Sequence, residues 1–154
     1  VILIAGIGNL FFGDDGFGVA VAHHLRAKAP PGTRVEDFGI RAIHLAFALS
    51  DPQPPALCIV ADCMARGGEP GTLYVVEPDV ETRGTVADAH GMNLPVVFAT
   101  VRELGGAMPR TLVVGCEPAD LAPRIGLSPI VERAVPAAAE LIRDLLTTHR
   151  EAQP

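Results

Sequence analysis

Two runs in the chain are apolar at every position, VILIAGI at residues 1–7 and ALCIVA at residues 56–61. A strand with one wet face alternates apolar and polar side chains, whereas a strand covered on both faces does not need to. Both runs therefore predict central strands sandwiched between other layers. Shorter strand signals lie at Thr33–Phe38, Thr72–Val76 and Thr111–Gly115. Helical periodicity fills the gaps between them. Phe17, Val21 and Leu25 mark a helix over Asp14–Lys28, and Arg41–Leu49 is a second helical stretch. Asn93 caps a third, with Leu94, Val97, Val101 and Leu104 on one stripe. Ser128-Pro129 is an N-cap and N1 pair opening a fourth helix to about Thr148, which carries Val131, Val135, Ala138, Ile142 and Leu145. Strands alternating with helices predict one three-layer α/β/α domain over residues 1–150, built on a twisted, mostly parallel sheet. Residues 151–154 read as a frayed, disordered tail.

Composition narrows the function classes. The 154 residues carry 12 Lys plus Arg against 18 Asp plus Glu, a formal charge of −6, which disfavours a nucleic-acid surface. Cys58, Cys63 and Cys116 show no CxxC spacing, and the odd count fits a reducing compartment, hence the cytoplasm. No apolar run approaches the roughly 18–20 residues of a membrane span, and no signal peptide is recognisable. Val1 opens directly on a strand, which predicts native residues before it.

The segment after the first run, GIGNLFFGDDGFG at residues 6–18, resembles a dinucleotide loop and then departs from it. A dinucleotide site needs GxGxxG after strand 1 and an acid near the end of strand 2. Gly6, Gly8 and Asp37 fit, but Phe11 stands where the third glycine belongs. Asp14 and Asp15 occupy the helix start, where they would repel a pyrophosphate rather than leave the backbone N–H groups to it. The plain structural reading makes one of these acids the N-cap, with both favoured by the helix dipole.

In open α/β sheets, ligands bind beyond the carboxyl ends of the strands. Asp62 ends the apolar run ALCIVA there, and His90 in DAHGMN lies in a loop expected at the same crest. Two carboxylates and an imidazole on separate loops make an O,O,N set suited to a divalent transition metal with open positions. Taken singly, Asp62 reads equally as a turn acid and His90 as a solvated loop histidine. His23 and His24 read as solvated or boundary helix positions, His44 as half-buried and structural, and His149 as a group suited to a helix C-terminus.

With these residues in place, the chain resembles the hydrogenase maturation proteases, endopeptidases that trim the C-terminal extension from the large subunit of nickel–iron hydrogenases. The resemblance rests on GIGNLFFGDDGFG, IVADC at 59–63, DAHGMN at 88–93 and RIGLSPIVERAVP at 124–136. It implies a three-layer, phosphorylase/hydrolase-like α/β/α fold. It also implies Asp15, Asp62 and His90 as metal-contacting and catalytic residues, with Asn9, Asp14 and Asp37 supporting them. Asn9 would stabilise the turn. Many members carry Glu where this chain has Asp15, one methylene shorter, and the stretch DFGIRAIHLAF departs from a Gly-rich segment of the family.

The resemblance implies that the metal is nickel already inserted in the substrate, with no tightly bound cofactor of the protease's own. The partner would be the precursor of a large subunit. Neither HExxH nor a recognisable Ser–His–Asp motif is present. Phe11 and Phe12 either pack under the loop or meet the precursor's tail. Two other readings stand beside this one. The first is a non-catalytic nickel-sensing assembly factor using the same residues. The second is a peptidyl-tRNA hydrolase-like hydrolase sharing the GxGN opening, against which the net charge of −6 and the DDG pair weigh.

Overall fold

The structure, a computed structural model, describes residues 1–79 and 94–154. Strands β1 (Ile2–Ile7), β2 (Thr33–Gly39), β3 (Leu57–Cys63), β4 (Leu73–Val76) and β5 (Arg110–Cys116) form one sheet in the order β2-β1-β3-β5-β4. The pairs β1–β2, β1–β3 and β3–β5 are parallel, and β4 lies antiparallel on β5 at the edge. The reversal of β4 follows from its connection. The link after β3 is shorter than the roughly dozen residues a parallel crossover needs, so the chain returns antiparallel.

Alternation along each strand explains why the central runs are apolar throughout. Ile2 and Ile4 of β1, with Leu57 and Ile59 of β3, face helices α1 (Phe17–Arg26) and α4 (Pro129–Glu151). Leu3, Ala5 and Ile7, with Cys58 and Val60, face α2 (Ala42–Leu49) and α3 (Leu94–Glu103). Both sides of the sheet are covered, and the three-layer architecture is the observed one. Phe17, Val21 and Leu25 are fully buried, as their spacing predicts. On α4 the stripe ends on Leu146 rather than Leu145, and the helix runs on to Glu151. Among the described residues no helix is long and apolar enough to cross a membrane.

The first helix differs from its expected form. Residues Gly13–Gly16 make a single 3-10 turn, and α1 starts only at Phe17 with Gly16 at its cap position. No side chain caps α1. Its first turn instead presses against the sheet. A Cβ on Gly18 would lie 2.0 Å from the Ala61 carbonyl oxygen and 2.3 Å from that of Ile7. A Cβ on Gly6 would lie 2.3 Å from the carbonyl oxygen of Gly18. The glycines of the opening loop thus serve helix–sheet contact, and that contact holds the two aspartates over the ends of β1 and β3.

Candidate active site

Asp14 and Asp15 are adjacent in sequence and do different work. Asp14 is fully buried. Its Oδ1 accepts the N–H of Ser128 at 2.7 Å, and its Oδ2 accepts the N–H groups of Ala119 and Asp120 at 2.8 and 2.9 Å. The hydroxyl of Ser128 also donates to Oδ2, at 2.9 Å. Burial by itself would raise this carboxyl, but the converging donors outweigh it and hold the group below its ordinary value. The expectation that one aspartate of the pair caps its own helix is therefore corrected for Asp14. Its acceptors serve the 119–128 segment and the start of α4 instead. Ser128 does occupy the N-cap position of α4, with Pro129 next, but its hydroxyl serves Asp14 rather than its own helix.

Asp15 sits at the crest, 5% exposed. Its Oδ2 accepts the N–H of Asn9 at 2.8 Å, while Asn9 Oδ1 accepts the N–H of Phe11 at 2.9 Å. Asn9 thereby ties the turn into which the acid is set. Gly8 has φ +139°, and a Cβ there would fall 1.9 Å from the backbone oxygen of Asp15, so only glycine lets the loop close on this residue. Backbone bonds zip the loop to the segment beyond β5. Gly13 N–H donates to Arg124 O, and Arg124 N–H donates to Phe11 O, both at 2.9 Å.

Asp62 lies inside β3 rather than just past it, in register with Gly115 of β5 and half-buried. By alternation it shares the strand face of Cys58 and Val60. Neighbouring Cys63 links the two acids electrostatically. Burial first, then the charges of Asp62 and Asp15, push its thiol well above the ordinary range. Asp15 follows β1 and Asp62 is the penultimate residue of its parallel neighbour β3, so both carboxylates lie at the same end of the sheet. His90, the third member of the expected set, lies outside the described residues, as does the Asn93 cap. Among the described residues no three metal-capable side chains cluster.

Asp37 lies two residues before the end of β2, in register with Gly6. Its Oδ2 lies 3.0 Å from His23 Nε2, and its Oδ1 is buried with no hydrogen-bond partner among the described residues. His23 is thus half of a pair, which a reading of its helix face alone did not reveal.

Sequence reasoning also passed over Glu117, which follows β5 and is 4% exposed. Its Oε1 accepts the N–H groups of Arg66 and Gly68 at 2.9 and 2.7 Å and the Tyr74 hydroxyl at 2.9 Å. Burial opposes ionisation, and these donors again prevail, so its carboxyl is lowered. The only sequence signal was an acid directly after an apolar strand. Four carboxylates (Asp14, Asp15, Asp62 and Glu117) thus collect at the carboxyl ends of the strands. Two of them, Asp14 and Glu117, bind backbone N–H groups of remote segments and shape the crest. An edge of this charge repels phosphate.

Comparison with known proteins identifies the family. The hydrogenase maturation protease family (HycI) matches residues 19–145. The chain belongs to the hydrogenase maturation protease family. It is 36% identical to the hydrogenase expression/formation protein HupM of Azotobacter chroococcum, over 97% of this chain and 76% of that protein. The [NiFe] hydrogenase maturation protease HycI of Thermococcus kodakarensis aligns with a TM-score of 0.71 and 29% identity, covering 95% of this chain and 92% of that one. The hydrogenase-maturating endopeptidase HybD of Escherichia coli aligns with a TM-score of 0.80 over 96% of this chain and 93% of that chain. At 24% identity that likeness speaks for the fold. This maturation protease is accordingly a peptide-bond hydrolase, which favours peptide over peptidyl-tRNA substrates.

Proposed function

We propose that this protease removes the C-terminal extension from the nickel-loaded precursor of a nickel–iron hydrogenase large subunit, and that Asp15, Asp62 and His90 recognise the inserted nickel. The observation that carries the reading is the division of labour in the DDG turn. Asp14, spent on four hydrogen bonds, fixes the turn, and Asp15 is thereby set at the crest on the same side as Asp62. Two carboxylate donors and one imidazole would complete the coordination of a metal held chiefly by its own protein. The nickel is part of the substrate. Bound beside the scissile bond, it would polarise the carbonyl to be attacked. The protease's part is to orient that centre and to hold negative charge opposite it. Asp14, Asn9 and Asp37 support this arrangement by fixing the turn and the end of β2.

The same reading places the reaction in the cytoplasm, where Cys58, Cys63 and Cys116 persist as free thiols. The test is processing of three purified precursor preparations: nickel-loaded, nickel-depleted, and depleted then reconstituted with nickel. Mass spectrometry should find one cut near the C-terminus in the first and third and none in the second. Cleavage of the depleted precursor at the same rate would refute nickel recognition. Tight binding of the loaded precursor without any cut would favour the non-catalytic assembly factor.

A further inference from the structure

A cavity of about 570 Å³ opens on the α1–α4 side of the crest. Its volume falls in the range of ligand sites. Its walls are mainly apolar, with Leu10, Val19, Ala20, Ile125, Leu127 and Val135 among them. Packing does not require all of these side chains. Ile125 is 75% exposed and Leu10 47% exposed. The walls are preformed, because the Phe11–Arg124 and Gly13–Arg124 backbone bonds join the two loops that bound the cavity.

Two features make this more than an apolar dent. The cavity borders the turn that carries Asp14 and Asp15, since Gly13 and Gly16, the two ends of that 3-10 turn, line it. It also contains a polar anchor produced by the helix itself. Pro136 stands inside α4 and has no N–H, so the carbonyl of Glu132 lacks its usual helical donor. Glu132 and Pro136 both line the cavity. A proline in a helix interior is costly, and here it stands where α4 borders the cavity.

We propose that this cavity is the subsite for the extension that the protease removes. It would take an apolar side chain of that extended segment, while a backbone N–H of the segment bonds the Glu132 carbonyl. The inference rests on the protease reading above and specifies how the substrate's tail is held. Contact here, away from the bond that breaks, is ground-state binding and belongs in KM.

The experiment uses the nickel-loaded precursor large subunit from the same organism and two variants. Ile125→Asp places a charge at the apolar mouth at an exposed position, and KM should rise about tenfold with kcat retained. Pro136→Ala restores the helical bond, so Tm should rise while KM rises about fivefold, the loss of one backbone hydrogen bond. A variant that folds more stably and binds less well separates the subsite from simple damage. Val75→Asp, at an exposed position on the distant strand β4, should leave both constants unchanged. In parallel, benzoylphenylalanine at position 125 should crosslink on irradiation to the extension, located by mass spectrometry. Wild-type KM in both variants, or crosslinks only to the body of the large subunit or to nothing, would overturn the subsite and leave the protease reading standing. A crosslink to the extension in the absence of any cleavage would keep the subsite and overturn the protease reading.

Discussion

Replacing Asp14 tests the central claim about the crest, that one acid of the pair is structural so that the other can face substrate. Asp14→Ala leaves four donors from Ala119, Asp120 and Ser128 facing an apolar methyl in a fully buried place. Hydrogen bonds to an ionised group are worth about 1.5–3 kcal/mol each, but remote loops relax, and losing one partner of a buried charged set costs about 3–5 kcal/mol. Unfolding entropy of about 2.1 cal/mol/K per residue over 154 residues gives about 0.3 kcal/mol/K. The expected fall in Tm is therefore about 9–15 °C. Asp14→Asn keeps one oxygen for the donors on Oδ2 but turns an NH₂ group toward the Ser128 N–H, so about half that loss is expected.

The pH dependence carries a sign that can be checked. The folded carboxyl of Asp14 is held below its ordinary value. Its stabilisation is therefore complete above the unfolded value and lost as pH falls through the folded one. The Tm gap between wild type and Asp14→Asn should be constant from about pH 7 to about pH 5 and narrow below about pH 4. Circular dichroism melts across that range measure it directly. A drop of under about 2 °C for Asp14→Ala at neutral pH, or a gap that widens in acid, would refute the clamp.

The remaining predictions concern the chemistry of the crest. Asp62→Asn and His90→Ala should each abolish processing with Tm within about 5 °C of wild type, and a normal rate in either would remove that residue from the site. Freshly purified protease should contain no stoichiometric metal, and added nickel, cadmium or zinc should bind weakly in calorimetry; a chelator-resistant zinc would indicate a conventional metallopeptidase. Burial pushes the Cys58 thiol up to about 12 and Cys116 to about 11, and Cys63 is raised further by Asp62 and Asp15. At pH 8 the folded protein should therefore resist iodoacetamide at all three thiols, with reaction appearing only in denaturant; rapid alkylation of Cys63 in the native state would contradict its acidic surroundings.

What could be read in the sequence, and what could not, divides along the range of the interactions. Periodicity is local, so the buried strands, the helical faces and the three-layer order were legible. The edge position of β4 depended on which neighbour, β5, that strand would find across the sheet. Asp14 shows the limit most sharply. Next to a helix start, an aspartate reads as that helix's cap, yet its partners lie 105 to 114 residues away. Glu117 was passed over in the sequence because the residues it holds lie 49 and 51 positions distant. His23 was judged by its helix, and its partner Asp37 belongs to the strand behind it.

The same argument resolves the glycine-rich opening. GxG after a first strand signals a close approach of backbone, and a phosphate is only one thing that can make the approach. Here Gly8 admits the Asp15 carbonyl, and Gly6 and Gly18 admit the helix to the sheet. Adjacent aspartates cannot point the same way from one tight turn, so a pair in sequence must split into two functions in space. The donors of the 119–128 segment decide which acid turns inward. That segment ends in Gly126–Ser128, the stretch that leads into the last helix at Pro129. The distant motif in RIGLSPIVERAVP and the DDG turn are therefore one structural unit, and a change in either should be felt at Asp15.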